Sequence, residues 1–407
     1  MHGPANAAQP PSEHATQKLL QSAQRWRDQA SQALGWLGRT ASLAQAGSQV
    51  GREVVDLVQG VHGSISSVSP PFGRHPEGQT RGITSLVYRC IGTGFDGMES
   101  AFATIARELP DDQPEPQQWL HIRSALNGVL GDRLETQANP LALCMQLCRD
   151  PDPSPRRVLF IHGLCMNELA WDNPAQEALR QALHRAGWAC DRLRYNSGRS
   201  IAANGADLAE LLASEHAAGR LQQLSLVGHS MGGLLIRSAL AQAGKAPLTQ
   251  AVKHCVYLGS PHQGAPLERI GNHANRLLGL SPYTAPFMRL GNIRSAGIQD
   301  LRHGSLRETD RAAERDATED PRQPCPLHPG PQHLLLAATR SELLPVDLHQ
   351  ASDDYLVPVI SALGLDQRAD WQLDAPRLRR QTLNATHHLG LLDSPRVGQI
   401  LQEQLLR

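Results

Sequence analysis

The nine residues SLVGHSMGG at positions 225–233 restrict the backbone more than any other part of the chain. The apolar run at 224–227 is typical of a short buried strand, and the apolar run that follows the turn is typical of a helix. A turn this sharp strains its central residue and crowds the residues beside it, which a missing Cβ relieves. Gly228 and Gly232 flank the turn, and Ser230 stands at its apex. We therefore predict a strand, a tight turn and a helix, with the Ser230 hydroxyl exposed above the end of the strand.

The same alternation of short apolar runs and longer amphipathic runs continues from about residue 139 to the end of the sequence. Strands are predicted at 141–147, 157–161, 190–195, 224–227, 255–258, 333–338 and 382–386. Helices are predicted at 173–186, 207–216, 232–243 and 395–406. Strands that alternate with helices pair in parallel, so we predict an α/β fold with a doubly wound, mostly parallel sheet covered on both faces.

The remaining sequence divides into regions of different character. Residues 1–15 are rich in Pro, Ala, Gln and Ser and are predicted to be a disordered tail. Apolar residues at steps of three and four predict a helical N-terminal region at 16–110. Residues 111–138 are predicted to be a linker and the start of the catalytic domain, which occupies 139–407. Within that domain, 267–331 is predicted to be an inserted cap and loop.

Composition excludes several classes of partner. Lys and Arg total 39 and Asp and Glu total 39, so we expect no nucleic-acid partner. No run reaches the about 18 apolar residues that a transmembrane helix needs, and the first residues do not resemble a signal peptide. The seven cysteines are odd in number and scattered, which favours reduced thiols and a cytoplasmic location. Cys144 and Cys148 lack a second pair at zinc-site spacing, so we predict no metal.

A serine at such a turn needs a base to become a nucleophile, and the base needs an acid to orient it. In this architecture they follow the serine in the order acid, histidine. The acid should follow a late strand, where Asp353 and Asp354 are adjacent, and the base should follow the last strand, where His387 and His388 are adjacent. The residues themselves leave both choices open.

Hydrolysis by a serine also needs donors for the oxyanion. The backbone N–H of Met231, directly after the nucleophile, is one candidate. The other is Leu164, in the loop after the strand at 157–161, where Gly163 lets the backbone approach the substrate. We interpret His162 as a support for this loop rather than as a base.

Five short segments, in this order, resemble the α/β-hydrolase superfamily, in particular its lipase-like and GPI-inositol-deacylase-like branch. They are HGL at 162–164, GHSMG at 228–232, GSPHQG at 259–264, DYLVP at 354–358 and HLGLL at 388–392. In such proteins the Asp-x-x-Val-Pro and His-x-x-Leu-Leu patterns mark the acid and the base, which selects Asp354 and His388. The resemblance implies serine-ester chemistry without a cofactor.

The resemblance also implies which residues surround the substrate. The GSPHQG segment lines the site in such proteins, and we place the pocket at Gly163, His162, His229, Ser260 and His262. A single glycine after His162, rather than a run of glycines, is associated with longer acyl chains. The family does not account for residues 1–110.

We therefore expect a carboxylic-ester hydrolase of the esterase or lipase kind, acting on small-molecule, acyl or lipid esters. Acyl transfer by the same three residues is one alternative, and a non-catalytic helical adaptor on a hydrolase scaffold is another. The helical N-terminal region is expected to pack on the catalytic domain. Its alternative role is peripheral contact with a lipid surface or self-association.

Overall fold

The computed structural model describes residues 117–139, 141–265, 295–310, 322–348 and 351–406. The predicted disordered tail at 1–15 and the predicted helical region at 16–110 lie outside the described residues, as does much of the predicted insertion at 267–331.

Seven strands form one sheet in the order β1-β3-β2-β4-β5-β6-β7. The strands are β1 (Gln146–Cys148), β2 (Arg156–Ile161), β3 (Ala189–Arg194), β4 (Gln223–His229), β5 (Val252–Leu258), β6 (Gln332–Ala338) and β7 (Leu378–Leu383). β1 is antiparallel to β3, and every other neighbouring pair is parallel. The predicted doubly wound, mostly parallel α/β fold is confirmed.

Helices precede and connect these strands. They are α1 (Gln117–Thr136), α2 (Pro174–Arg185), α3 (Ile201–Ala217), α4 (Met231–Ala243), α5 (Pro247–Ala251), α6 (Ala296–His303), α7 (Val359–Ala362), α8 (Gly390–Asp393) and α9 (Pro395–Leu405). N-cap side chains define where three of these helices begin. The side chains of Asn173, Ser200 and Ser295 each accept the backbone N–H of the residue three positions later and so cap α2, α3 and α6.

The core lies on both faces of the sheet. Alternate residues of β2 point to opposite sides, so Leu159 joins one apolar cluster and Phe160 the other. Side chains of α3, α4 and α5 complete the first cluster, and side chains of α2, α8 and α9 complete the second. Because both faces are covered, the central strands are mostly apolar, which is the pattern that the sequence shows.

Helix α1 lies within the segment 111–138, for which the sequence predicts a linker and the start of the catalytic domain. Its side chains Leu126, Leu130 and Leu134 are buried. Asn127, also buried, donates to the Leu141 carbonyl at 2.8 Å and accepts from the backbone N–H of Leu143 at 2.9 Å. These bonds occupy the backbone at the start of the strand predicted at 141–147, and the observed strand β1 begins only at Gln146.

Within the described residues no helix is long and apolar enough to cross a lipid bilayer. The six cysteines in this part of the chain are all free thiols. Four of them, Cys165, Cys190, Cys255 and Cys325, are buried.

A charge cluster at the end of α3 makes stability depend on pH. Glu215 accepts hydrogen bonds from Arg220 at 2.8 Å and 3.0 Å and forms an ion pair with Arg149 at 2.6 Å. The hydrogen bond from Arg220, together with the contact to Arg149, lowers the pKa of Glu215 to about 2 against the opposing effect of burial. Since the folded pKa is below that of the unfolded chain, this contribution is fully present above about pH 4.3 and is lost as the pH falls to about 2.

We expect Glu215→Gln to destabilise the fold at neutral pH by no more than about 1 kcal/mol, because both arginines are partly solvated. Urea unfolding at a series of pH values should show this difference shrinking as the solution is made more acidic than about pH 4.3. Glu210→Gln, an exposed position on the same helix, serves as the control and should show no such trend. A difference for Glu215→Gln that stays constant with pH would contradict the assignment.

Candidate active site

The turn between β4 and α4 holds Ser230 in a backbone conformation that residues with a Cβ rarely adopt, with φ 54° and ψ −122°. Close packing around the turn explains its two glycines. A Cβ on Gly228 would lie 2.6 Å from the carbonyl carbon of Gly232, and a Cβ on Gly232 would lie 2.5 Å from the carbonyl oxygen of Ile161. Both distances are shorter than real Cβ contacts, so the strand–turn–helix arrangement requires glycine at each position.

Asp354 and His388 form a buried pair on the loops that follow β6 and β7. Nδ1 of His388 lies 2.7 Å from Oδ2 of Asp354, and the exposed fractions are 2% and 1%. The other carboxylate oxygen of Asp354 accepts the backbone N–H groups of Leu356 at 3.0 Å and Val357 at 2.7 Å. This explains the Asp-x-x-Val spacing, because the same carboxylate closes the local turn and holds the imidazole.

Ionisation of Asp354 is stabilised locally. Burial by itself raises the pKa of Asp354, but the charge of His388, the hydrogen bond from its ring and the two backbone N–H groups hold that pKa below its ordinary value. The carboxylate is therefore an acceptor at neutral pH, and the His388 tautomer that fits it carries its proton on Nδ1.

The two adjacent candidates occupy different environments. Asp353 accepts the Tyr355 N–H at 2.9 Å and lies 3.5 Å from Arg340, so its carboxylate serves a turn at the surface. His387 is exposed, and its Nδ1 accepts the Gly390 N–H at 2.9 Å. Neither is part of the buried pair.

Ser230 is connected to this imidazole through neighbouring residues. The backbone N–H of Ser230 donates to the Leu258 carbonyl at 2.8 Å. Gly259 follows Leu258, and a Cβ on Gly259 would lie 3.1 Å from Cε1 of His388. On the other side, the ring centroid of His229 is 4.7 Å from that of His388. Ser230, His388 and Asp354 thus follow the carboxyl ends of three parallel strands of one sheet, β4, β7 and β6, although they are far apart in sequence.

The loop after β2 approaches the same serine. A Cβ on Gly163 would lie 3.1 Å from Cβ of Ser230, so the backbone that leads to Leu164 lies against the apex of the turn. Met231 is the first residue of α4, where the backbone N–H has no acceptor within the helix. Leu164 and Met231 therefore come from two backbone segments that flank Ser230.

The five residues predicted to line the substrate pocket have different neighbours in the structure. Gly163 and His229 border Ser230 and His388, and Nε2 of His229 lies 3.2 Å from the His388 carbonyl oxygen. His162 is fully buried and stacks on Tyr195 with ring centroids 4.4 Å apart. Burial lowers the pKa of His162 to about 4, so its ring is neutral and supports the loop.

Ser260 and His262 are also buried, in the loop that follows β5. Ser260 packs directly against Gly233 of α4. The imidazole of His262 lies edge-on to Tyr257, with ring centroids 5.0 Å apart. These contacts are with the protein interior, and the assignment of both residues to the substrate pocket stays a prediction.

Two supports of the site were not predicted from the sequence. The buried guanidinium of Arg237 on α4 donates to the Cys325 carbonyl at 2.6 Å and lies 3.3 Å from Nδ1 of His262, so it fixes the loop after β5. Helix α1 supplies the second, because Gly128 packs against the backbone of Cys165, directly after Leu164. An arginine inside an apolar run is a signal that could have revealed Arg237, whereas the contact of α1 joins distant segments.

A family model described as the alpha/beta hydrolase family matches residues 158–397, more than half of the chain. No curated protein matches the sequence at a significant level. Similar solved structures include the mature lipase BlEst2 of Bacillus licheniformis, at 18% identity and a TM-score of 0.42 over 64% of this chain and 98% of that lipase. A lipase-esterase related protein of Clostridium acetobutylicum matches at 14% identity and a TM-score of 0.38, over 64% of this chain and 100% of its own. The esterase RhEst1 of Rhodococcus sp. matches at 14% identity and a TM-score of 0.38, over 64% of this chain and 94% of its own.

The matched range 158–397 contains Ser230, Asp354 and His388 together with five whole strands, β3 to β7, and most of β2. The extent of this match shows that the chain belongs to the alpha/beta hydrolase family.

Proposed function

We propose that the protein is a serine hydrolase that cleaves carboxylic esters through Ser230, His388 and Asp354. The observation that carries the proposal is the buried Asp354–His388 hydrogen bond of 2.7 Å, at the same edge of the sheet as a serine held at φ 54°. A buried ion-forming pair and a strained serine are costly features, and both are what nucleophilic catalysis needs.

In the proposed first half-reaction, Oγ of Ser230 attacks the ester carbonyl carbon while Nε2 of His388 takes the hydroxyl proton. The oxyanion of the tetrahedral intermediate accepts the backbone N–H groups of Met231 and Leu164. His388 then returns its proton to the leaving alcohol, and the acyl group stays on Ser230. Water repeats the sequence in the second half-reaction, which releases the carboxylic acid and restores the serine.

Asp354 has two roles in this proposal. It keeps the Nδ1 proton of His388 in place, so that Nε2 faces the serine, and its negative charge stabilises the imidazolium that forms in each transition state. The low pKa of Asp354, held down mainly by His388 against the effect of burial, supports both roles because the carboxylate is ionised at neutral pH.

An apolar substrate is favoured by the loop that leads to Asp354. Leu343 is 83% exposed, Leu344 38% and Val346 107%, so this loop, which precedes Asp354 in the sequence, presents apolar surface to its surroundings. Apolar groups exposed together mark contact surfaces more often than scattered ones do. We therefore propose acyl or lipid esters as the substrates.

Labelling with a fluorophosphonate tests the proposal directly. We expect the folded protein to react stoichiometrically, with the adduct on the peptide that contains Ser230, and heat-denatured protein to remain unlabelled because the activating imidazole is then displaced. A panel of esters of graded acyl length, assayed on the same protein, should show hydrolysis. Absence of both labelling and hydrolysis in folded protein would overturn the proposal, and product formation only with added alcohol acceptors would replace it with acyl transfer.

A further inference from the structure

A cleft of about 540 Å³ lies at the edge of the sheet opposite Ser230. It is bordered by residues at, or directly before, the amino ends of six parallel strands, β2 to β7, whereas Ser230 follows the carboxyl end of β4. The seven residues of β5 separate the two edges by about 20 Å, at about 3.3 Å per residue. The cleft is therefore separate from the proposed active site. Its polar lining includes Arg156, Gln223, Lys253, His254, Gln332 and Arg377.

The lining carries an unbalanced charge. It contains three permanent cations, Arg156, Lys253 and Arg377, and neither Asp nor Glu. In the described part of the chain these cations bond only neutral groups. Arg156 donates to the Ala186 carbonyl at 3.1 Å, Lys253 donates to the Gln250 carbonyl at 3.3 Å, and Arg377 donates to the Gly330 carbonyl. Their charges are thus available to an anion.

The position of Arg156 is fixed by its neighbours. Its guanidinium carbon lies 4.6 Å from the ring centroid of Trp188, and its Nε donates to the side-chain oxygen of Gln223 at 3.2 Å. A guanidinium stacked on an aromatic ring is restrained without being neutralised, which lowers the entropy that an anion must remove on binding. The Arg156 guanidinium is therefore preorganised for binding an anion.

His254 adds a donor at the base of the cleft. It is 5% exposed, and its Nδ1 lies 3.1 Å from Oγ of Ser225, which orients the ring. Among the described residues, Nε2 has no hydrogen-bond partner, although the residue lines the cleft. A buried nitrogen without a partner is costly, and an oxygen atom of a ligand would satisfy it. Burial, and then the charges of Arg377 and Lys253, lower the pKa of His254 to about 4, so its ring is neutral at neutral pH.

We propose that this cleft binds a soluble phosphate ester or polyphosphate that carries at least two negative charges. Three cations around one concave surface match a multiply charged oxyanion better than a single carboxylate, and phosphate oxygens accept from guanidinium, ammonium and imidazole donors alike. The volume lies within the range of about 300–1,000 Å³ that small-molecule sites occupy. Because the cleft lies on the edge opposite Ser230, the ligand binds without contact with the ester substrate.

Calorimetric titration of the full chain with inorganic pyrophosphate tests this site. We expect saturable binding that weakens with added NaCl, and a loss of about tenfold or more in affinity for Lys253→Gln/Arg377→Gln. Arg156→Gln is a second variant with the same expected direction, in case the first does not fold. Arg396→Gln removes an exposed cation outside the cleft and should bind within about twofold of the wild type.

Three results would overturn the proposal. One is the absence of pyrophosphate binding by folded wild-type protein at low salt. Another is equal affinity in wild type and in both cleft variants, which would place the anion elsewhere. Binding confined to vesicles that carry phosphorylated lipid headgroups, with none of free pyrophosphate, would also contradict a soluble ligand.

Discussion

Replacing Ser230 with alanine is expected to lower kcat for ester hydrolysis by roughly 10⁴- to 10⁶-fold while KM changes little. In the proposed mechanism the variant retains the oxyanion donors and the substrate contacts, so binding should survive and only the nucleophile should be lost. Steady-state rates on an activated ester, together with fluorophosphonate labelling, measure both parts. We expect no label on Ser230→Ala.

The fold should tolerate this substitution. Alanine experiences the same strain as serine at φ 54°, and no side-chain cap of α4 is lost because Ser230 makes none. Thermal unfolding should therefore show a change of less than about 1 kcal/mol in stability. Ser154→Ala, near the amino end of β2, provides a matched serine control, which should keep wild-type activity. Near-normal turnover by Ser230→Ala would show that the nucleophile lies elsewhere.

The turn around Ser230 was predictable because its requirements are local. Gly228 and Gly232 meet backbone atoms at distances that no Cβ tolerates, and a requirement so strict is visible in the sequence itself. The central strands were predictable for a related reason. Burial on both faces makes them continuous apolar runs, so β2, β4, β5 and β6 contain the residues predicted for them.

Strands that are less buried are harder to predict from the sequence. The last strand was predicted at 382–386, but β7 runs over Leu378–Leu383. It lies at the edge of the sheet, and most of its side chains are exposed or half-buried, including Arg379 and Arg380. An edge strand needs no apolar pattern, because backbone pairing to β6 on one side is sufficient to hold it.

Contacts between segments that are far apart in the chain also cannot be predicted from local sequence patterns. Asn127 of α1 bonds the backbone at Leu141 and Leu143, and Gly128 meets the loop that carries Leu164. No local sequence pattern indicates that α1, which lies before the residues matched by the family model, supports this loop. The pairing of Asp354 with His388 differs, because the motifs that resemble the α/β-hydrolase superfamily select both residues from the sequence.

Replacing Asp354 with asparagine is expected to lower kcat by about 10³- to 10⁴-fold. An amide can hold the imidazole by donating to Nδ1, which moves the proton to Nε2 and removes the base that faces Ser230. It also removes the charge that stabilises the imidazolium. Because asparagine still presents an oxygen to the N–H groups of Leu356 and Val357, we expect the turn to persist, and KM should change far less than kcat.

Asp353→Asn is the matched control for this variant, since it makes the same chemical change one residue away. Its carboxylate bonds Tyr355 and pairs with Arg340 rather than with an imidazole, so the rate should stay within about twofold of the wild type.

The pH dependence of kcat separates a catalytic role of Asp354 from a purely structural one. The pKa of Asp354 is held below its ordinary value, chiefly by His388 against the effect of burial, so the wild-type carboxylate is ionised throughout the range above about pH 5. A deficit that is constant over that range would therefore reflect the lost charge, and equal losses in Asp354→Asn and Asp353→Asn would refute the pairing as the basis of catalysis.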